Sequence, residues 1–216
     1  MIHNLKNKMS VEYLQSVIEG MGYSFFTKGN YNVNIIGVRN PNPVANSFDD
    51  TMLCAYKVSN QWVLKEWQVT TDAGTYWLEN PLNAKGCDLL VPNQYRGVYK
   101  IDKHSGRYYA LCQRNGEVEV YRDDTKDQIL DLDDATKQWG YFGINIHRSN
   151  PYSESKNVDK WSAGCQVFKK VDDFNEFMTI CNKARDEWSN SFTYTLIKQR
   201  SEERRVGKEC RSRGSP

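Results

Sequence analysis

TMLCAYKVSNQWVLKEWQVT, residues 51–70, places two β-rich runs on either side of the polar triplet Ser59-Asn60-Gln61. β-branched and aromatic side chains suit a pleated, half-buried surface, and turn-type residues between two such runs predict strands folded back on one another. The same pattern continues outward. NVNIIGV precedes the stretch, and GTYWLEN, GVYKI, YYALCQR and VEVYR follow it, with NPLNAKG, KHSG and RNG as connectors. Asn115-Gly116, between YYALCQ and EVEVYR, is the short-range signal for a two-residue hairpin. The middle of the chain is therefore expected to be mainly antiparallel β, and no repeat with a period of about 20 to 50 residues interrupts it.

Helical spacing flanks this region. Ser10 is a candidate N-cap for a helix carrying Leu14, Val17, Ile18 and Met21 on one face, with Gly20 and Gly22 as stop signals. Near the other end Val171, Phe174, Phe177, Met178, Cys181 and Trp188 recur at helical intervals, and Asp172 and Asp173 sit where a helix dipole favours acids. A helix is expected over 172–188, followed by a last strand in NSFTYTLIK. The architecture read from these signals is one mainly β domain over 31–199, a twisted β-sandwich or partial barrel. A helical extension over 1–30 precedes it, and a helix follows Cys165.

The chain has 216 residues with 29 Lys/Arg and 27 Asp/Glu. RSEERRVGKECRSRGSP, residues 200–216, has no apolar periodicity and resembles the conceptual translation of a sequencing adapter, so it is read as a scar outside the fold. Removing its six basic and three acidic residues leaves 23 and 24, a net charge of −1. With that basicity goes the case for a nucleic-acid partner, because no Lys/Arg stripe interleaved with aromatics remains. No run approaches the roughly 18 apolar residues of a membrane-spanning helix. The N-terminal MIHNLKNKMSVEYLQ lacks the apolar segment of a secretory signal, which leaves localisation open.

Without Cys210 the body holds five cysteines, Cys54, Cys87, Cys112, Cys165 and Cys181. An odd number without regular spacing argues against a disulfide framework, and no Cys/His cluster points to zinc. Cys54 and Cys112 lie in strand-like runs and Cys181 on a helical stripe, where a thiol behaves as a small core hydrophobe.

Cys165 differs. It ends Trp161-Ser162-Ala163-Gly164-Cys165, a small-residue turn that lets the backbone bend tightly and present amides beside the sulfur, as an oxyanion hole requires. His147 closes the alternating run YFGINIH, eighteen positions upstream. A strand-end histidine can meet a cysteine across the polar loop RSNPYSESKNVDKW, lowering the thiol pKa through an ion pair and acting as its base. The alternative is a satisfied strand histidine and an inert core thiol.

Ile-x-His, a polar loop, Ser-x-Gly-Cys-x-Val, an acid-started helix and a final strand together resemble the catalytic end of L,D-transpeptidases of the YkuD type. The resemblance spans roughly residues 50–199, with its specific part at 140–197, and TTDAGTYWLENP is similar to a strand-turn signature of that family. The likeness is nearest to phage-encoded and metagenomic members. It implies that Cys165 is the acylated nucleophile and His147 the general base, and that Ser162 and Gly164 shape the turn. It also implies that peptidoglycan stem peptides are the substrate, with no cofactor. Transfer to an amine, hydrolysis on the same fold, and a non-catalytic wall-binding or virion module are the functions considered. The family usually carries His where this chain has Ala163 and Arg where it has Val167; Arg148 or Arg96 is the candidate replacement cation. Arg148, Trp161 and Tyr141 are the expected substrate-binding residues.

Two further patterns bear on ligands. Asp123, Asp127 and Asp134 with apolar Leu130 have the spacing of a calcium loop, but Gln128 stands where glycine is needed, so a solvated acidic turn without metal is expected. Trp62, Trp67, Tyr76, Trp77, Tyr95 and Tyr99 could form a carbohydrate or peptide platform, although alternating strand aromatics usually face a core.

Overall fold

A computed structural model of the chain describes residues 10–41 and 43–199. Its elements are α1 (Val11–Gly20), β1 (Asn34–Arg39), β2 (Asp50–Val58), β3 (Gln61–Thr70), α2 (Thr75–Glu79), β4 (Cys87–Leu90), β5 (Gln94–His104), β6 (Tyr108–Gln113) and β7 (Val118–Asp123). After a 3-10 turn at Asp134–Thr136 come β8 (Gln138–Gly140), β9 (Ile146–Arg148), β10 (Gln166–Phe168), α3 (Val171–Glu187) and β11 (Phe192–Lys198). The expected scar at 200–216 and the first nine residues of the helical extension lie outside the described residues.

The 51–70 stretch forms β2 and β3, paired from Asp50 with Val69 to Val58 with Gln61. Ser59 and Asn60 turn the chain at φ 48° and 64°, the pair of left-handed residues that matches strand twist in a two-residue hairpin. Along β2, Met52, Cys54 and Tyr56 join Trp67, Phe168 and Phe177 in the main core. The alternate residues Leu53 and Ala55 pack with Leu14 and Ile18 of α1 and with Ile36 and Ile197. β2 is buried on both faces, which is why it reads as a continuous apolar run instead of an alternation.

β1 pairs antiparallel with β2 and parallel with β11, and these pairings close the sheet. The result is an eight-strand mixed barrel in the order β1-β11-β5-β6-β9-β10-β3-β2, with β4, β7 and β8 forming a separate three-stranded sheet. The sheet thus closes completely, beyond the expected sandwich or partial barrel, and a second sheet stands beside it. Arg39, fully buried, bridges the two: its guanidinium donates to Thr71 Oγ1 at 2.9 Å, Thr71 O at 2.8 Å and Leu90 O at 2.9 Å. It also lies 3.0 Å from Asp72.

Two local expectations are corrected. β6 and β7 do not form a hairpin; β6 pairs with β5 and β9, while β7 pairs with β4 and β8. Neither Asn115 nor Gly116 takes a positive φ, and the Arg114 and Asn115 amides donate instead to Val98 O at 3.2 and 3.0 Å. GTYWLEN forms the short helix α2 in place of a strand. Gly74 is its N-cap, and its carbonyl accepts from the Trp77 and Leu78 amides at 3.0 and 3.2 Å. Leu78 alone in α2 is buried, so alternating burial never develops.

α1 begins as expected, with Ser10 Oγ accepting from the Tyr13 amide at 3.2 Å. α3 buries Phe174, Phe177, Met178, Cys181 and Ala184, with Phe177 edge-on to Trp67 at 5.7 Å. No helix among the described residues is long and apolar enough to cross a membrane.

Candidate active site

β9 and β10 run parallel and adjacent, with Gln166 opposite Ile146 and Val167 opposite His147. Residues paired across adjacent strands share a face, so Val167 and His147 share one while Ile146 and Gln166 take the other. Cys165 ends the turn that feeds β10, and among the described cysteines it is the one that is only partly buried. Val167 and Cys165 pack with Phe48 and Val158, so an apolar patch supports the sulfur from below the loop.

The turn is built from its own side chains. Ser162, fully buried, donates from Oγ to Cys165 O at 2.8 Å and accepts from the Gly164 amide at 3.1 Å. Gly164 has φ +121°, and a Cβ there would stand 1.7 Å from Asp88 O. Glycine is required both by conformation and by the close approach of β4. The Gly164 amide is therefore spent on Ser162 and does not serve as an oxyanion donor. The Cys165 amide makes no hydrogen bond among the described residues.

YFGINIH was expected to be one strand ending at His147, but β9 spans only Ile146–Arg148. The amides of Phe142, Gly143 and Ile144 all donate to Gln113 Oε1, at 3.2, 2.9 and 3.1 Å, so a buried side chain replaces a ladder partner. The resulting loop wraps the sulfur. Asn145 donates its amide to Cys165 Sγ at 3.3 Å, and the thiol points to Gly143 O at 3.4 Å.

His147 is 4% exposed. Its Nδ1 lies 2.8 Å from Arg148 O, which can only accept, so the ring proton sits on Nδ1 and Nε2 is the basic nitrogen. Tyr108 Oη lies 3.3 Å from both Nδ1 and Arg148 O. The His104 ring stacks on His147 with centroids 4.1 Å apart. No hydrogen bond joins the His147 ring to Cys165 Sγ in this arrangement.

Burial dominates the electrostatics. It drives the His147 pKa down to about 3, assisted by His104 and the Arg148 charge and opposed by the Arg148 carbonyl. It pushes the Cys165 thiol up to about 11, against the Asn145 amide and with help from Cys112 and Asp88. At rest the thiol and the imidazole are thus both neutral, and not the expected thiolate–imidazolium pair, because burial penalises both charges.

The remaining expected residues are spread around this centre. The Arg148 guanidinium lies 4.1 Å over the Tyr108 ring and donates to Ser149 O at 3.2 Å, without a carboxylate partner among the described residues. Trp161 is 39% exposed, four residues before the cysteine, and Tyr141 is 62% exposed at the start of the Gln113-bound loop. Arg96 Nη1 donates to Ser24 Oγ at 3.2 Å, near the end of β5 opposite His104. His104, Tyr108 and Asn145 were not singled out in the sequence; His104 lay in a segment that reads only as a turn.

The two other ligand patterns resolve differently. Asp123 is buried, its carboxylate accepting from the Asp131 amide at 2.9 Å and from Thr125 Oγ1 at 3.2 Å, so it organises the acidic loop and is not solvated. Of the six platform aromatics, Trp67, Tyr95 and Tyr99 are buried in the core. A cavity of about 430 Å³ between α1 and the β1–β11 edge is lined by Leu14, Val17, Met21, Val38 and Ile197 and holds no histidine, cysteine or carboxylate.

Comparison of the chain with protein-family models, with curated proteins and with solved structures returned no match.

Proposed function

We propose that this chain is a cysteine acyltransferase of the L,D-transpeptidase type acting on peptidoglycan stem peptides. The observation that carries the proposal is the placement of the one partly exposed cysteine in the turn that enters β10, the strand paired with the one that carries a histidine whose tautomer leaves Nε2 basic. The resemblance of residues 140–197 to that family supplies the fold type and the substrate class.

In this reading Cys165 Sγ attacks a peptide carbonyl, forming a thioester bond, while the thiol proton passes to His147 Nε2. His147 then returns that proton to the leaving amine as the carbon–nitrogen bond breaks. The acyl group next passes to an amine, giving a crosslink, or to water, giving hydrolysis. The neutral resting pair fits general-base activation, in which charge appears only as the attack proceeds. The unengaged Cys165 amide faces the developing oxyanion. Arg148 meets a substrate carboxylate, and Trp161 and Tyr141 contact the peptide.

The test is intact-protein mass spectrometry after incubation with a tetrapeptide stem or with a carbapenem as acylating probe. An acyl adduct on Cys165 is expected, absent from Cys165→Ser and formed about 100-fold or more slowly by His147→Ala. No adduct, or an adduct that survives Cys165→Ser, would refute the proposal.

A further inference from the structure

His104 ends β5 and Tyr108 begins β6, partners across the turn at 105–107. This hairpin mouth opens onto the site. The His104 ring covers one face of His147 with an interplanar angle of 21°. Its Nδ1 lies 3.1 Å from Asn145 Nδ2.

The orientation of Asn145 decides the protonation of His104. Asn145 Oδ1 accepts from the Gln113 amide at 2.9 Å, so the NH2 group is what faces His104. An NH2 group can only donate, which requires His104 Nδ1 to carry a lone pair and the ring to be neutral, protonated at Nε2. His147 carries the opposite tautomer. Asn145 also donates its main-chain amide to Cys165 Sγ. One residue therefore joins the sulfur to the ring that lies on the base.

We propose that His104 is a positioning residue for the thiol–imidazole pair: its ring lies on His147, and its Nδ1 accepts from Asn145, whose main-chain amide holds the Cys165 sulfur. The inference rests on the Cys165–His147 reading above. Protonating His104 would set an N–H against the Asn145 NH2, break that link and let both the sulfur and the base drift. The groups facing this assembly are Arg107 and Arg114 toward His104, Arg148 toward both rings, Tyr108 beside His147 Nδ1, and Asp88 and Cys112 toward the sulfur. Burial, followed by the three arginines, lowers the His104 pKa from its ordinary value, so the link persists at neutral pH and opens on acidification.

The experiment follows alkylation of Cys165 by iodoacetamide in the full chain, read on the Cys165 peptide by mass spectrometry, from about pH 4 to about pH 8. The reaction forms the carbon–sulfur bond, releases iodide and delivers the thiol proton to His147. His104→Asn places an oxygen near the Nδ1 position that accepts at every pH; His104→Leu keeps bulk without an acceptor. Both lose the ring stack equally, so their difference reports the Asn145 link. At about pH 7 the Asn variant is expected to react at least about tenfold faster than the Leu variant. The wild-type fall in rate on acidification is expected to move to lower pH, or vanish, in the Asn variant. Equal rates in the two variants, or an unchanged acid limb in the Asn variant, would overturn the role of His104. His147→Ala separates the two readings. If it leaves the wild-type rate and profile intact, the thiol–imidazole pair itself fails; if it slows the reaction while the His104 variants behave as wild type, only the inference about His104 fails.

Discussion

Replacing Gly164 with alanine tests how tightly the turn before Cys165 is clamped. The substitution forces an L-residue to φ +121°, and conformations of that kind raise the energy by about 1–3 kcal/mol. The new Cβ would also stand 1.7 Å from Asp88 O, 2.9 Å from Asp88 C and 3.3 Å from Ile144 Cδ1. The carbonyl cannot rotate aside as a side chain could. Asp88 is held in the β4–β7 ladder opposite Arg122, and its carboxylate is ion-paired to the same arginine. Relief must come from the turn, at an overpacking penalty of about 1–3 kcal/mol. The sum is about 2–6 kcal/mol, or about 4–24 °C in Tm for a domain of this size. Gly106→Ala is the matched control, because Gly106 has φ +69° with nothing within 4 Å of its Cβ position and should cost only about 1–2 kcal/mol. Thermal unfolding followed by circular dichroism reads the stability, and Cys165 alkylation reads whether the sulfur has left Gly143 O and the Asn145 amide. If Gly164→Ala melts no lower than Gly106→Ala, the turn is not clamped against β4 and the geometric reasoning fails.

A thiol raised to about 11 is ionised to about one part in 10⁴ at pH 7, so Cys165 alkylation should climb steeply above about pH 9. A rate already saturated at about pH 5, with no further climb above about pH 9, would instead reveal a resting ion pair. The His147 pKa is depressed on folding, so the unfolded chain binds the proton more tightly and stability is lost as pH falls from about 6.5 toward 3. Between pH 7 and pH 5 the wild type should lose about 2 kcal/mol more than His147→Gln in urea unfolding, and parallel losses would contradict the burial of an uncharged imidazole. Gln113→Leu orphans the amides of Phe142, Gly143 and Ile144 and should destabilise by about 3 kcal/mol or more while altering Cys165 reactivity; an unchanged denaturation midpoint would show that those amides find other partners. Arg39→Met leaves Asp72 without its counter-charge and Leu90 O without its donor, with an expected loss of about 3–5 kcal/mol that chemical denaturation would detect or exclude.

Elements whose stability comes from a repeating pattern were legible from residue order. β3 and the alternation around it, the α1 cap at Ser10 and the apolar stripe of α3 each depend on spacing within one segment, which sequence displays directly. Cys165 stood apart from Cys54, Cys112 and Cys181 for the same reason, since those lie inside apolar periodic runs, whereas Cys87, which follows the turn NPLNAKG, is told apart only by its burial. The misread segments are those whose backbone groups are satisfied from far away. The 141–145 loop has its amides bound by Gln113, Asn115-Gly116 is tied to Val98, and Gly74 opens α2 while its amide donates to Ser162 O at 2.9 Å. Barrel closure through β1 and β11 joins residues about 160 positions apart, which no local signal encodes.

The site divides along the same line. Residue order alone singled out one cysteine and one histidine as candidates, because turn composition and strand-end position are local. Tertiary structure decided their charge state and their company. The shift of each pKa comes from desolvation first and neighbours second, and both are properties of packing. His104, Asn145 and Tyr108 reach His147 from β5, from the loop before β9 and from β6, and they meet only because the barrel brings those strands to one edge.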